Sequence, residues 1–129
     1  MISFIKRMTI HLMNNYRKLS EQEIQQLKAH SCTADDWTNI EVATEFKVDY
    51  VYHTRFSGKI RLGVFEHEFT LAGGMRKHAG LYHATLHNVT VGNHCCIENV
   101  KNYIANYDIG DYTFIENVDI ILVDGYSKF

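Results

Sequence analysis

The chain has 129 residues, of which 46% are hydrophobic and 22% charged, and its formal net charge is −2. That composition fits one globular domain with its own core and is too short for two. The near-neutral balance excludes a molecule-wide field that would recruit nucleic acid or an anionic membrane, and no stretch approaches the length of an apolar membrane span.

The first element met, Met1-Ile2-Ser3-Phe4-Ile5, is broken by Lys6, Arg7 and His11 and lacks a small-residue cleavage site, so it is not read as an export signal. Residues 1–14 are expected to be a poorly ordered extension. Ser20-Glu21-Gln22-Glu23 is a capping box, in which the serine hydroxyl and the glutamate side chain satisfy each other's backbone amides; it predicts a helix to about His30. Thr33-Ala34-Asp35-Asp36 is a second start signal, for a short helix carrying Trp37 and Ile40. Residues 15–47 thus read as a helical cap or arm, whose short helices need tertiary packing to persist.

From Val48 the pattern turns to β. Val48, Tyr50 and Tyr52 alternate with polar neighbours, and Ile60–Phe65 and Glu68–Leu71 read as further strands. Ala72-Gly73-Gly74 is a turn before the basic stretch Arg76-Lys77-His78. The three cysteines, Cys32, Cys95 and Cys96, are odd in number and form no CxxC pair, which points to a reduced, cytoplasmic compartment.

A repeat follows, clearest over residues 86–126. Val91-Gly-Asn-His-Cys-Cys-Ile-Glu-Asn-Val100 aligns with Ile109-Gly-Asp-Tyr-Thr-Phe-Ile-Glu-Asn-Val118 at an offset of eighteen, with five identities in ten. Apolar residues recur every six positions at Val91, Ile97, Tyr103, Ile109, Ile115 and Ile121, and Leu86-His87-Asn88-Val89 is a shifted echo of Ile-Glu-Asn-Val. Six residues per side and three sides per turn make a triangular solenoid over 48–129. Its expected inward stacks are Val91 on Ile109, Ile97 on Ile115 and Tyr103 on Ile121, with Asn99 and Asn117 forming an amide ladder.

At these residues the chain resembles the hexapeptide-repeat superfamily: Val91-Gly92 with Cys95, and Ile109-Gly110 with Thr113, match its motif, whereas Ile97-Glu98 and Ile115-Glu116 match only its first positions. Leu19–Ile24, Arg55-Phe56-Ser57-Gly58, Gly73–His78 and the repeat also resemble the N-terminal part of an uncharacterised bacterial family, a domain of unknown function with left-handed β-helix coils. The resemblance implies a mainly β fold, a left-handed parallel β-helix preceded by short N-terminal helices. It also implies a chain truncated at its C-terminus, whose last coil is covered by further coils or by another copy in a homo-oligomer.

The chemistry is less defined. Many hexapeptide proteins are acyltransferases, and the resemblance makes that the leading enzyme class, with coenzyme A or an acyl carrier as donor and a histidine as general base. Among His78, His83, His87 and His94, the ones singled out are His78 and His94; none falls in a matching catalytic motif. Gly73–His78 places backbone amides beside cations, so Arg76, Lys77 and His78, helped by Arg55 and Arg61, are candidates for holding a sugar phosphate or nucleotide sugar. Against this stands a plain solvated basic hairpin. No histidine or cysteine pair completes a metal set, and the residues themselves identify no cofactor. With no complete catalytic constellation, the expected role is a scaffold, oligomerisation or ligand-binding part of a larger protein, with a hexapeptide-type transferase as the alternative.

Overall fold

The computed structural model describes residues 15–128, with side-chain surroundings through residue 122. The capping box forms as read: the Ser20 hydroxyl accepts from the Glu23 amide at 3.1 Å and Glu23 Oε1 accepts from the Ser20 amide at 2.9 Å, opening helix α1, Glu21–Ala29. Both terminal nitrogens of Arg17 donate to the Glu23 carboxylate, at 2.8 and 2.9 Å, and tie strand β1, Tyr16–Lys18, to the helix. Leu27 anchors the other face and is fully buried.

The second helix signal yields only one turn. Asp36 caps it by accepting from the Thr38 amide, but the turn, a 3₁₀ segment at Trp37–Asn39, ends at once. Ile40 and Val42 are β-branched and buried, so the chain leaves the turn as strand β3, Ile40–Ala43: packing on a sheet outweighs the capping signal. Strand β2, Thr33–Ala34, lies just before it. Residues 15–47 therefore contribute one helix and three short strands.

The protein is mainly β. Strand β4 (Val51–Leu62), β7 (Gly80–Val91), β8 (Cys96–Ile109) and β9 (Phe114–Lys128) carry a mixed seven-stranded sheet. β1 runs antiparallel to β3; β2 and β3 lie parallel on β4, and β4, β7, β8 and β9 follow one another in parallel. The short strands β5 (Glu68–Thr70) and β6 (Arg76–His78) form a separate antiparallel hairpin, turned by Gly73 (φ +79°) and Gly74 (φ +82°), as the Gly-Gly pair predicts. Val51 pairs with Leu81, whereas Ile97 pairs with Ile115, eighteen positions on. The hairpin is the extra length between β4 and β7.

Register lines up the core. One column runs Val51, Leu81, Ile97, Ile115; a second Phe56, Leu86, Ile104, Ile121; a third Leu62, Val91, Ile109. All but Ile121 are at most 7% exposed, and each such side chain contributes about 1.5–3 kcal/mol relative to exposure. Val91 on Ile109 and Ile97 on Ile115 are as expected, and Asn99 Nδ2 donates to Asn117 Oδ1 at 3.0 Å, so the amide ladder is present.

Two expectations are corrected. Tyr103 pairs with Ile120, not Ile121, and is only half-buried; Ile104 takes the inward place. The reason is the spacing of left-handed residues from β7 to β9, in these strands and in the turns between them. These fall at His83, Asn88, His94, Asn99, Asn106, Tyr112 and Asn117. Seven positions separate Asn99 from Asn106, so a strict six-residue count lands one residue early. The echo at Leu86 is also not a phase slip. The true partner of Ile97-Glu98 is Leu81-Tyr82, while Leu86 faces Ile104 and Asn88 donates to Asn106 at 3.3 Å. Asparagine and histidine fill most of these sites because they tolerate a left-handed backbone better than most side chains.

Where the earlier turn needs even more room, it uses glycine. Gly58 has φ +67°, and a β-carbon there would overlap the Asn88 side-chain oxygen, which accepts from the Lys59 amide at 2.9 Å. The described residues include no helix long and apolar enough to cross a membrane.

Candidate ligand-binding site

The hairpin β5–β6 packs beside the outer face of β7 and β8 and brings Arg76, Lys77 and His78 together, as the sequence suggests. With Tyr82, His83, Glu98 and Asn99 they line a pocket of about 460 Å³. The cations are not free, however. Lys77 is ion-paired with Glu98, and Arg76 donates to Glu68 at 3.2 Å. The Glu98 hydrogen bond, opposed by partial desolvation, raises the Lys77 pKa. Two carboxylates thus neutralise two cations, which removes most of the attraction for an anion.

Arg55 and Arg61 do not join this group. Arg55 lies on β4 opposite Thr33 and Thr85, before the bend at Gly58; Arg61 follows that bend. Arg61 donates to Glu41 at 3.0 Å and sits over the Tyr16 ring at 4.9 Å.

The histidines separate by what their nitrogens do. His78 Nδ1 lies 2.7 Å from the Ala79 carbonyl oxygen, which can only accept, so Nδ1 carries the proton and Nε2 keeps its lone pair. Its ring stacks on Tyr50 with centroids 3.5 Å apart. Tyr82, whose hydroxyl donates to the His78 and Ala79 carbonyls, has its pKa pushed upward by burial. His94 is the reverse: Nδ1 accepts from the Glu66 amide at 3.1 Å, so in the neutral ring Nε2 holds the proton and cannot act as a base. His83 stacks on His53 at 4.5 Å.

His87 forms a dyad that sequence reading missed, with Nδ1 2.8 Å from the Ser57 hydroxyl. The geometry argues against nucleophilic catalysis. The Asn88 amide is oriented by the Lys59 amide on its oxygen, so its nitrogen donates to His87 Nε2 at 3.2 Å. Nδ1 then carries the proton and donates to Ser57, leaving the hydroxyl unactivated.

Cys95 and Cys96 are fully buried, and desolvation pushes both thiols up to about 11. Cys95 Sγ contacts the Gly110 carbonyl, the same oxygen that Thr113 uses in its own turn, so the small position is a packing site. Among the described residues no group of three or more His, Cys, Asp or Glu side chains is placed to hold a metal ion.

Tyr50, Tyr82 and Glu98 were not singled out from sequence. The signal for Glu98 was the Ile-Glu-Asn-Val repeat itself, since Tyr52, Tyr82, Glu98 and Glu116 occupy one column.

Comparison with known proteins agrees in extent with this arrangement. A family described as "Domain of unknown function (DUF4954)" matches residues 16–129. An "Uncharacterized protein" of Treponema pallidum (strain Nichols) is 28% identical over 120 residues, covering 88% of this chain and 16% of that protein. The chain therefore spans about a sixth of that relative's length. No solved structure matches it.

Proposed function

The chain belongs to the DUF4954 family, and from that premise we propose that it is a left-handed parallel β-helix segment serving as a scaffold within a longer protein. The observation that carries this reading is the recurrence of bends. Asn88 and Asn106, His94 and Tyr112, and Asn99 and Asn117 are three pairs of left-handed residues, each eighteen apart, in strands that pair in parallel or, for His94 and Tyr112, in the turns between those strands. Three bends per eighteen residues describe a triangle whose sides stack in register. Parallel neighbours normally need a crossover of a dozen residues or more, yet only residues 92–95 separate β7 from β8. Winding removes the need for a crossover, and the hexapeptide-like motifs at Val91 and Ile109 favour the left-handed sense.

A scaffold role follows from the site chemistry. His94 and His87 have the wrong nitrogen protonated for proton abstraction, and the hairpin cations are neutralised. The exposed Ile120 and Leu122 on β9 are apolar surface of the kind that a further coil or a second copy of the chain would cover. One observation favours the transferase alternative: His78 keeps a lone pair on Nε2 beside the 460 Å³ pocket.

Calorimetry with coenzyme A separates the two. The scaffold reading expects no saturable heat. Binding that weakens on His78→Ala would overturn it in favour of a transferase.

A further inference from the structure

A second concavity, about 680 Å³, lies on a different stretch of the sheet from the hairpin pocket, where β1, β3, β4 and β7 run side by side. Its size is within the range of small-molecule sites. Two register rows build it. The outer row is Lys18, Glu41, Arg61 and Thr90, paired in that order across the four strands. The second row precedes the buried Ile40, Ile60 and Val89 and supplies Asn39, Lys59 and Asn88.

The charges in this groove do not cancel. Three cations face one carboxylate: Glu41 accepts from Arg61 Nε at 3.0 Å and lies 3.8 Å from Lys18. Among the described residues the Lys59 ammonium and the Asn39 side-chain amide have no hydrogen-bond partner, and the two terminal nitrogens of Arg61 have none either. Asp108 continues the outer row beyond Thr90 and bounds the groove on that side. The Asn88 amide is committed to Lys59 N–H, Asn106 and His87, which fixes the wall and leaves it rigid.

We propose that this groove binds a small phosphorylated, hydroxyl-bearing ligand of the sugar-phosphate class. Not hydrogen-bonded among the described residues, the terminal nitrogens of Arg61 and the Lys59 ammonium offer a dianionic phosphate charge-assisted hydrogen bonds, and such an ion matches their charge better than a single carboxylate would. Asn39 flanks them with an amide suited to sugar hydroxyls. The inference is independent of the scaffold reading, since neither His78 nor the winding of the chain enters it.

The test is titration calorimetry at low salt with glucose 1-phosphate, alongside inorganic phosphate and glucose as controls. Saturable binding of glucose 1-phosphate, tighter than either control, is expected. Lys59→Ala should weaken it at least fivefold and Arg61→Gln similarly, while replacement of the exposed Lys101 by alanine, which lines neither pocket, leaves it unchanged. Lys59 is exposed, with only its backbone amide bonded, so its replacement leaves the fold intact, as circular dichroism would verify. Three results would each overturn the proposal: no saturable binding by the wild-type chain, equal affinity for inorganic phosphate, or an unchanged affinity in Lys59→Ala.

Discussion

Replacing Ile104 or Tyr103 by alanine distinguishes the structure's register from a simple six-residue count. Ile104 is fully buried and stacks between Leu86 and Ile121. Tyr103 is half-buried and lies beside the exposed Ile120. Truncating a buried isoleucine removes its transfer free energy and leaves a cavity, so Ile104→Ala should cost about 3 kcal/mol. Tyr103→Ala removes a larger side chain but from a site already half in water, and should cost about 1 kcal/mol. With an m-value of about 2 kcal/mol/M for urea, the midpoints should fall by about 1.5 M and 0.5 M respectively. Urea unfolding of the two variants, followed by far-ultraviolet circular dichroism, reads the difference directly. If Tyr103→Ala shifts the midpoint as far as Ile104→Ala or further, the inward residue is Tyr103 and the bend at Asn106 is misplaced.

Other outcomes follow from the same geometry. Asn99 has φ +55°, so Asn99→Ala should be about 1 kcal/mol less stable than Asn99→Gly, both having lost the ladder to Asn117; thermal melts should differ by about 4 °C, and equal melting temperatures would contradict the left-handed bend. Gly58→Ala should destabilise by about 2 kcal/mol or more, and a large part should return when Asn88 is also changed to glycine, since the new methyl and the amide compete for one place; a fully additive double variant would refute this. The hydrogen bonds from Arg17 hold the Glu23 carboxyl below its usual range, so its contribution is complete above the unfolded pKa and is lost as pH falls through the lower folded value; Glu23→Gln should flatten the acid limb of stability against pH and leave neutral-to-basic behaviour unchanged in shape. Cys95 and Cys96 should react with a thiol reagent at pH 8 only as fast as the chain opens, and promptly in denaturant, because both thiols are buried and raised to about 11.

Much of this was legible where sequence and packing ask for the same residue. The capping box at Ser20, the Gly73-Gly74 turn and the eighteen-residue offset each carry a local signal strong enough to survive tertiary context. Thr33–Asp36 shows the opposite. Its helix-start pattern is real, and Asp36 does cap, but Ile40 and Val42 find burial in the sheet and convert the next residues to a strand. The register slip at Tyr103 arose because bend spacing is set by which residue tolerates a left-handed backbone, and periodicity alone does not contain that. The basic hairpin was visible, but its neutralisation was not: Glu68 and Glu98 stand 8 and 21 positions from their partners, at distances that only the folded chain closes. The groove joins Lys18 on β1 to Lys59 and Arg61 on β4, more than forty positions away in the chain, so no contiguous motif announces it.

A crystal structure of the chain, read for its winding, tests the central proposal most directly. The account predicts a three-sided left-handed path in which Ile97 lies over Ile115, Ile104 over Ile121 and Asn99 over Asn117. An open, unwound sheet or a right-handed path through the same strands would contradict it.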